Sequence, residues 1–374
     1  NTQTINAQEA GAAAVLIVNN VTCAFDFMSD DVLEGVSLPV FSMPRKDVDL
    51  LVGIVSQSPD MKVSINRTVD RDLVLSDEEM EAFSSAGPTL DGRVKPDVVV
   101  PGSFIWSAAR ITDKNFTAND TCQVMYQHGT SMATPAVAGG LVLIRQYFTD
   151  GYYPDGIKTA PNAFEPSAAL LKAVIINGAQ PLRGHTSQGL PLDVVPSCKQ
   201  GWGRVNVTNS LVLPGQDELG EKSAILVSDR RTMPFVTSGQ TFGVCLRVVA
   251  GEKELSVTLV WTDPPPAVVS DGSIVNDLDL QLFDAPGGVK QKIWPLEGRD
   301  DRVNNVEKVT RSAPKTGRYF VRVMAHRIQQ PQTFALAVTG QVRLVASEVT
   351  EDECFSEPPP PSGPPPPPPR PPSS

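Results

Sequence analysis

The residue in this sequence best placed to do chemistry is a serine. In Gln127-His128-Gly129-Thr130-Ser131-Met132-Ala133-Thr134-Pro135, small turn residues present Ser131 ahead of an apolar, Ala- and Gly-rich run from Ala136 to Ile144. The run predicts a buried helix with Ser131 in its first turn. The first amides of a helix have no intrahelical acceptor, and the dipole there favours developing negative charge. A hydroxyl in that place suits attack on a carbonyl, with the oxyanion held by backbone N–H. A serine is a poor nucleophile near neutral pH. It needs a base, usually histidine, and an acid that fixes the histidine's tautomer. Serine is also a favoured N-cap, so the motif by itself is weak evidence.

The partners are not obvious. There are three histidines, His128, His185 and His326. His128 is so close along the chain that its imidazole is not expected to swing to the attack side of Ser131. His185 in a polar loop and His326 at a strand end read as surface residues. Elsewhere, Asp277 and Asp279 alternate with Leu278 and Leu280 and follow Asn276. Two carboxylates on one strand face are the oxygen ligands that calcium takes, although a solvated strand face reads equally well. Calcium is therefore expected at most as a structural ion, and the chemistry itself requires no cofactor. The five cysteines, Cys23, Cys122, Cys198, Cys245 and Cys354, show no CxxC spacing and so argue against zinc. Gly129-Thr130-Ser131-Met132-Ala133 lacks the Gly-x-Ser-x-Gly pattern of lipases and esterases.

The elements that must position these residues fall into blocks. Residues 1–68 carry a short helix from Ile5 to Ala12, an apolar strand from Ala13 to Val18, a second strand at Leu38 to Met43 and a helix from Arg45 to Val55. Residues 69–82 form an acidic linker. In 83–216, Gly87-Pro88 and Asp91-Gly92 mark turns, and Val98 to Val100 is a strand bracketed by prolines. Pro166-Ser167 opens a helix that Gly178 stops. From 217 to 345 the period becomes two: Phe242, Val244, Leu246 and Val248; Leu255, Val257, Leu259 and Trp261; Leu278, Leu280 and Leu282; Tyr319, Val321 and Val323. Half-buried strands at that spacing predict a β-sandwich or small barrel. Residues 346–374, mostly proline after Ser356, read as an extended disordered tail or stalk.

Several motifs in fixed order resemble the C-terminal half of a subtilisin-like serine protease. They are Phe83-Ser84-Ser85-Ala86-Gly87-Pro88, Asp91-Gly92-Arg93-Val94-Lys95-Pro96-Asp97, Pro101-Gly102, Gly129-Thr130-Ser131-Met132-Ala133-Thr134-Pro135 and Gly201-Trp202-Gly203-Arg204. Asn6 to Asn20 with Leu38-Pro39-Val40 resembles part of a protease-associated (PA) domain. Trp261-Thr262-Asp263-Pro264-Pro265 and Val275 to Leu280 resemble the jelly-roll domain that follows some subtilase domains. The resemblance implies an α/β fold: a parallel-sheet catalytic half, preceded by a partial PA domain and followed by a β-sandwich. It implies peptide-bond hydrolysis through an acyl-enzyme on Ser131. In that family the Asp, the His and the oxyanion Asn come earlier in the chain, so all three are expected outside these 374 residues, and the chain alone is expected to be inactive. With them go the walls of the main specificity pocket. A bridge between Cys122 and Cys198 would tie the serine loop to the closing turn.

Composition narrows the class. Hydrophobic residues at 41% can build cores, and a formal charge of −10 argues against nucleic acid. No apolar run reaches the ~18 residues of a membrane span. Five Asn-x-Ser/Thr sequons, at Asn20, Asn66, Asn115, Asn119 and Asn206, point to a secreted, extracellular or wall-associated glycoprotein. Its partners would be protein or peptide substrates, with a propeptide or inhibitor in addition. The alternative is a non-catalytic secreted protein that binds through its PA and sandwich surfaces.

Overall fold

The computed structural model describes residues 2–18, 37–43, 78–109, 124–186, 190–214, 223–266, 274–285, 291–293 and 300–356. The helix expected over 45–55, most of the acidic linker and the proline tract lie outside these residues.

At the N-terminus, α1 (Thr2–Glu9) leads into β1 (Val15–Val18), which pairs in parallel with β2 (Val40–Met43). Gln8 ties the two ends of this piece, its Oε1 accepting from the Ser37 N–H at 2.6 Å.

The middle of the chain holds β3 (Ile105–Ala108), β4 (Val124–Gln127), α2 (Thr130–Thr149), α3 (Ala168–Asn177) and the short α4 (Val207–Ser210). The expected parallel sheet is not assembled among the described residues of this part. Among the described residues, β3 and β4 pair antiparallel, and parallel pairing is reduced to a bridge between Val99 and Arg204. That bridge joins two motifs. Trp202 N–H donates to Asp97 O at 2.9 Å, and Val205 N–H to Val99 O at 2.9 Å. Gly201 makes the approach possible: its φ is 57°, and a Cβ there would lie 2.1 Å from Pro96 O.

The serine helix α2 is also less buried than its composition predicts. Val137, Leu141, Ile144 and Phe148 recur at helical spacing and pack inward, whereas Val142 and Leu143 are 63% and 57% exposed. A helix apolar on all sides needs cover on all sides. The described elements cover one.

The C-terminal half is two antiparallel sheets. One has the order β10-β7-β12-β5 and the other β13-β6-β11-β8-β9. The strands are β5 (Ala224–Phe235), β6 (Thr241–Val248), β7 (Leu255–Val260), β8 (Asp277–Asp284), β9 (Gln291–Ile293), β10 (Val306–Arg311), β11 (Gly317–Arg327), β12 (Gln332–Gly340) and β13 (Val342–Ser347). The alternating residues singled out in the sequence meet in one core between the sheets. The strands are not all half-buried, however. Every residue of β7 and β8 is buried, because both sheets are covered on their outer faces too.

Helix α3 covers one outer face. Its Leu170, Ala173, Val174 and Ile176 share a core with Ile225, Val260, Val306, Ala335 and Ala337 of the sheet and with Ile144, Tyr147 and Phe148 of α2. Helix α5 (Glu351–Phe355) covers the other, with Cys354 bonded to Cys245 and Phe283 and Phe320 packed around the bridge. The fold therefore runs on to Ser356, beyond the boundary at 345 and into the stretch expected to be a disordered tail.

Candidate active site around Ser131

Ser131 is exposed in the first turn of α2. The turn before it is set by backbone alone. Gly129 has φ 141°, which favours glycine, and its N–H donates to Gly102 O at 2.8 Å. Gly102 lies so close beneath that a Cβ on it would be 3.0 Å from Gly129 O, which explains the Pro101-Gly102 pair. Gly129 O accepts from Met132 and Ala133 N–H at 3.0 and 3.3 Å. No side chain caps the helix, and among the described residues the amides of Thr130 and Ser131 have no acceptor. Two unpaired N–H groups thus flank the hydroxyl at the positive end of a 20-residue helix. Chemically this end of α2 can hold an anion beside a primary alcohol.

No histidine is brought to it. His128 stands beside Phe104, with ring centroids 4.3 Å apart, and its Nδ1 accepts from the Phe104 N–H at 3.3 Å. The placement agrees with a local loop role. His185 Nδ1 lies 3.4 Å from Glu79 Oε1. His326 is near enough to Asp277 and Asp279 to act on their charge. Among the described residues, the Ser131 hydroxyl makes no hydrogen bond at all.

The surroundings are apolar and open. Phe104, just before β3, and Trp106 and Tyr126 of the β3–β4 pair are 67%, 66% and 49% exposed. Behind the first turns of α2 a cleft of about 550 Å³ is lined by Phe83, Val98, Val100, Pro101, Ala133 and Val137, and the two glutamates Glu79 and Glu81 also border it.

Asp277 and Asp279 do share one strand face, but that face is buried and the cation facing it is Arg302. Its guanidinium bonds Asp279 and reaches Asp277 Oδ1 at 3.5 Å. Burial pushes Asp277 up to about 6, against the pull of Arg302, and raises Asp279 as well. The pair does not fit calcium: a guanidinium already occupies its approach. Among the described residues no group of three or more His, Cys, Asp or Glu side chains is assembled that could hold a metal.

Cys122 lies outside the described residues. Cys198 is disulfide-bonded. The bridge between Cys245 and Cys354, 109 residues apart, carried no signal in their spacing. Of the sequons, Asn206 is described. Its side chain caps α4 through the Asn209 N–H at 3.1 Å and donates to Gln180 Oε1 at 3.0 Å.

The sequence also gave no hint of a polar network at the far end of α3. Asn177 Oδ1 accepts from Thr258 Oγ1 at 2.8 Å and Ser256 Oγ at 2.9 Å, and its Nδ2 donates to Thr339 Oγ1 at 2.8 Å. Beside it, Lys308 Nζ donates to Ile176 O and Ala179 O at 3.0 and 3.3 Å. Each of these residues sits in an ordinary strand or helix pattern, and only the docking of α3 on the sheet brings them together.

Comparison with known proteins is consistent with the serine motif. The chain is 31% identical over 275 residues to the serine protease/ABC transporter B family protein tagD of Dictyostelium discoideum, covering 61% of this chain and 15% of that protein. It is 31% identical over 206 residues to a PII-type proteinase of Lacticaseibacillus paracasei, covering 54% of this chain and 10% of that protein. It is 29% identical over 221 residues to the minor extracellular protease Vpr of Bacillus subtilis, covering 58% of this chain and 23% of that protein. The match thus spans less than a quarter of each relative's length. Residues 1–203, more than half of the chain, match the model of the subtilase family, peptidase S8. The chain belongs to the subtilase family.

Proposed function

We propose that this chain carries the nucleophile of a serine endopeptidase and acts through an acyl-enzyme on Ser131. The observation that carries this reading is the exposed Ser131 hydroxyl between two unpaired amides at the N-terminus of α2. Ser131 Oγ bonds to the peptide carbonyl carbon while its proton passes to a base. The oxyanion is met by the Ser131 amide. The carbonyl–nitrogen bond then breaks, and the leaving amine takes the proton. Water hydrolyses the ester and restores the hydroxyl. Since none of His128, His185 and His326 bonds the Ser131 hydroxyl, the base and its acid come from a segment outside these 374 residues, and the open apolar surface of α2, β3 and β4 is where such a segment packs.

Residues 1–68 act as part of a PA-type lid and residues 217–345 as a jelly-roll. The working compartment is extracellular. A disulfide between Cys245 and Cys354 suits an oxidising environment, and two of the relatives are named as a proteinase and an extracellular protease. Substrates are proteins or peptides, with a propeptide or inhibitor as a further partner.

A fluorophosphonate probe tests both halves of the proposal. The 374-residue protein should label negligibly, and a longer protein that contains the upstream histidine should label at Ser131. Labelling of the 374-residue protein at the rate of an intact subtilase overturns the missing partners. An active longer protein in which Ser131→Ala still labels and cleaves overturns the nucleophile.

A further inference from the structure

The outer face of the β10-β7-β12-β5 sheet is shaped and charged for one helix. Register places Val306 and Ala335 opposite Val260, Lys308 and Ala337 opposite Thr258, and Ser256 opposite Thr339. On β5, Ile225, Val227 and Asp229 stand opposite Thr339, Ala337 and Ala335. The middle of this face is thus small and apolar, and α3 packs into it. The two ends are not apolar.

At the N-terminus of α3, the Asp229 carboxylate accepts from Ser167 N–H at 2.8 Å and Ser167 Oγ at 2.7 Å, while Ser167 Oγ caps the Leu170 amide at 3.0 Å. At the C-terminus, the Lys308 ammonium bonds two carbonyls of the helix end, and Asn177 binds three hydroxyls of the sheet. The sheet therefore sets an anion at the positive end of α3 and a cation at its negative end, matching the helix macrodipole at both.

Ordinary packing does not account for Lys308. It is 8% exposed, and among the described residues no carboxylate is within ion-pair distance of it. Its burial is offset in part by the carbonyls that close α3. The consequence reaches the serine. Helix α2 is anchored where Ile144, Tyr147 and Phe148 meet α3, so the place of α2 depends on that of α3.

We propose that this sheet face is a charge-matched seat for α3, with Asp229 and Lys308 as positioning residues that hold the serine helix in place. The two-sheet unit then works as part of the serine scaffold, not as an appended binding module. The functional meaning rests on Ser131 being the nucleophile, but the test does not.

Hydrogen exchange on the whole 374-residue protein reads it directly. Lys308→Met and Asp229→Asn should each speed exchange about tenfold in 168–179 and 144–149, while β6, β8 and β11 keep their protection. A second readout tests whether Lys308 itself is sealed into the seat. Burial, opposed by the charge of Glu254, lowers Lys308 to about 8, so in the wild type stability should rise as pH goes from 7.5 to 9.5, and in Lys308→Met this rise should disappear. Equal loosening of all segments, unchanged exchange in α3, or the same pH slope in Lys308→Met overturns the proposal. Asp229→Asn, which changes charge at constant volume, carries the exchange test if Lys308→Met fails to fold. Loss of the nucleophile reading through the probe experiment would leave these exchange results standing.

Discussion

Replacing Asn177 by alanine should be among the more damaging single changes in the molecule. Its side chain is 3% exposed and makes three hydrogen bonds, to Ser256 and Thr258 through Oδ1 and to Thr339 through Nδ2. Each is worth about 1 kcal/mol net. Ser256 Oγ keeps a contact with Asn177 O at 3.2 Å, but the Thr258 hydroxyl, on a residue 0% exposed, is left with no partner described for it. An orphaned buried hydroxyl adds about 1–3 kcal/mol. The expected loss is about 3–5 kcal/mol, read as a lower urea midpoint at unchanged slope. Removing both sides of the network tests the same physics. Asn177→Leu combined with Ser256→Ala, Thr258→Val and Thr339→Val should recover all but about 1 kcal/mol, since no polar group is then stranded. Loss of less than 1 kcal/mol in Asn177→Ala, or simple additivity in the combined variant, would refute the reasoning.

Three further outcomes are expected. Ser131→Ala should leave thermal stability within about 0.5 kcal/mol, because the hydroxyl is exposed and makes no bond; a larger loss by calorimetry would give the serine a structural role. The double replacement Cys245→Ser and Cys354→Ser should cost about 2–5 kcal/mol, since the bridge closes a 109-residue separation, and an unchanged melting temperature would show the bridge to be idle. Asp277 is raised by burial from 3.8 to about 6, so its contribution to stability is full below 3.8 and is lost as pH rises through 6. Asp277→Asn should therefore gain on the wild type by about 2–3 kcal/mol between pH 4.5 and pH 8, and a difference that stays constant over that range contradicts a buried, raised carboxyl.

Much of the local structure was legible from residue order. The period-two runs at 242–248, 255–261, 278–282 and 319–323 all enter one core, because alternation on a strand is itself the instruction for which face turns inward. The turn glycines were readable for the same reason: Gly129 and Gly201 adopt conformations that side chains resist. Ser131 could be named from its motif, since a helix N-terminus needs only a few neighbouring residues to form.

What the sequence could not settle is who covers what. It marked α2 as apolar but not that Val142 and Leu143 would face solvent. It gave no sign of the bridge from β6 to α5, because partners 109 residues apart leave no local trace. It offered Asp277 and Asp279 to calcium, and the fold answered with Arg302, a residue 23 positions from Asp279 whose direction only the loop before β10 decides. Residue order therefore determined the place of Ser131 at the start of α2, the turns and the strand faces, all set by interactions within a few residues. Tertiary structure alone decided the cover of α2, the disulfide and the seat of α3, since each depends on groups that meet only once the two halves of the chain are packed.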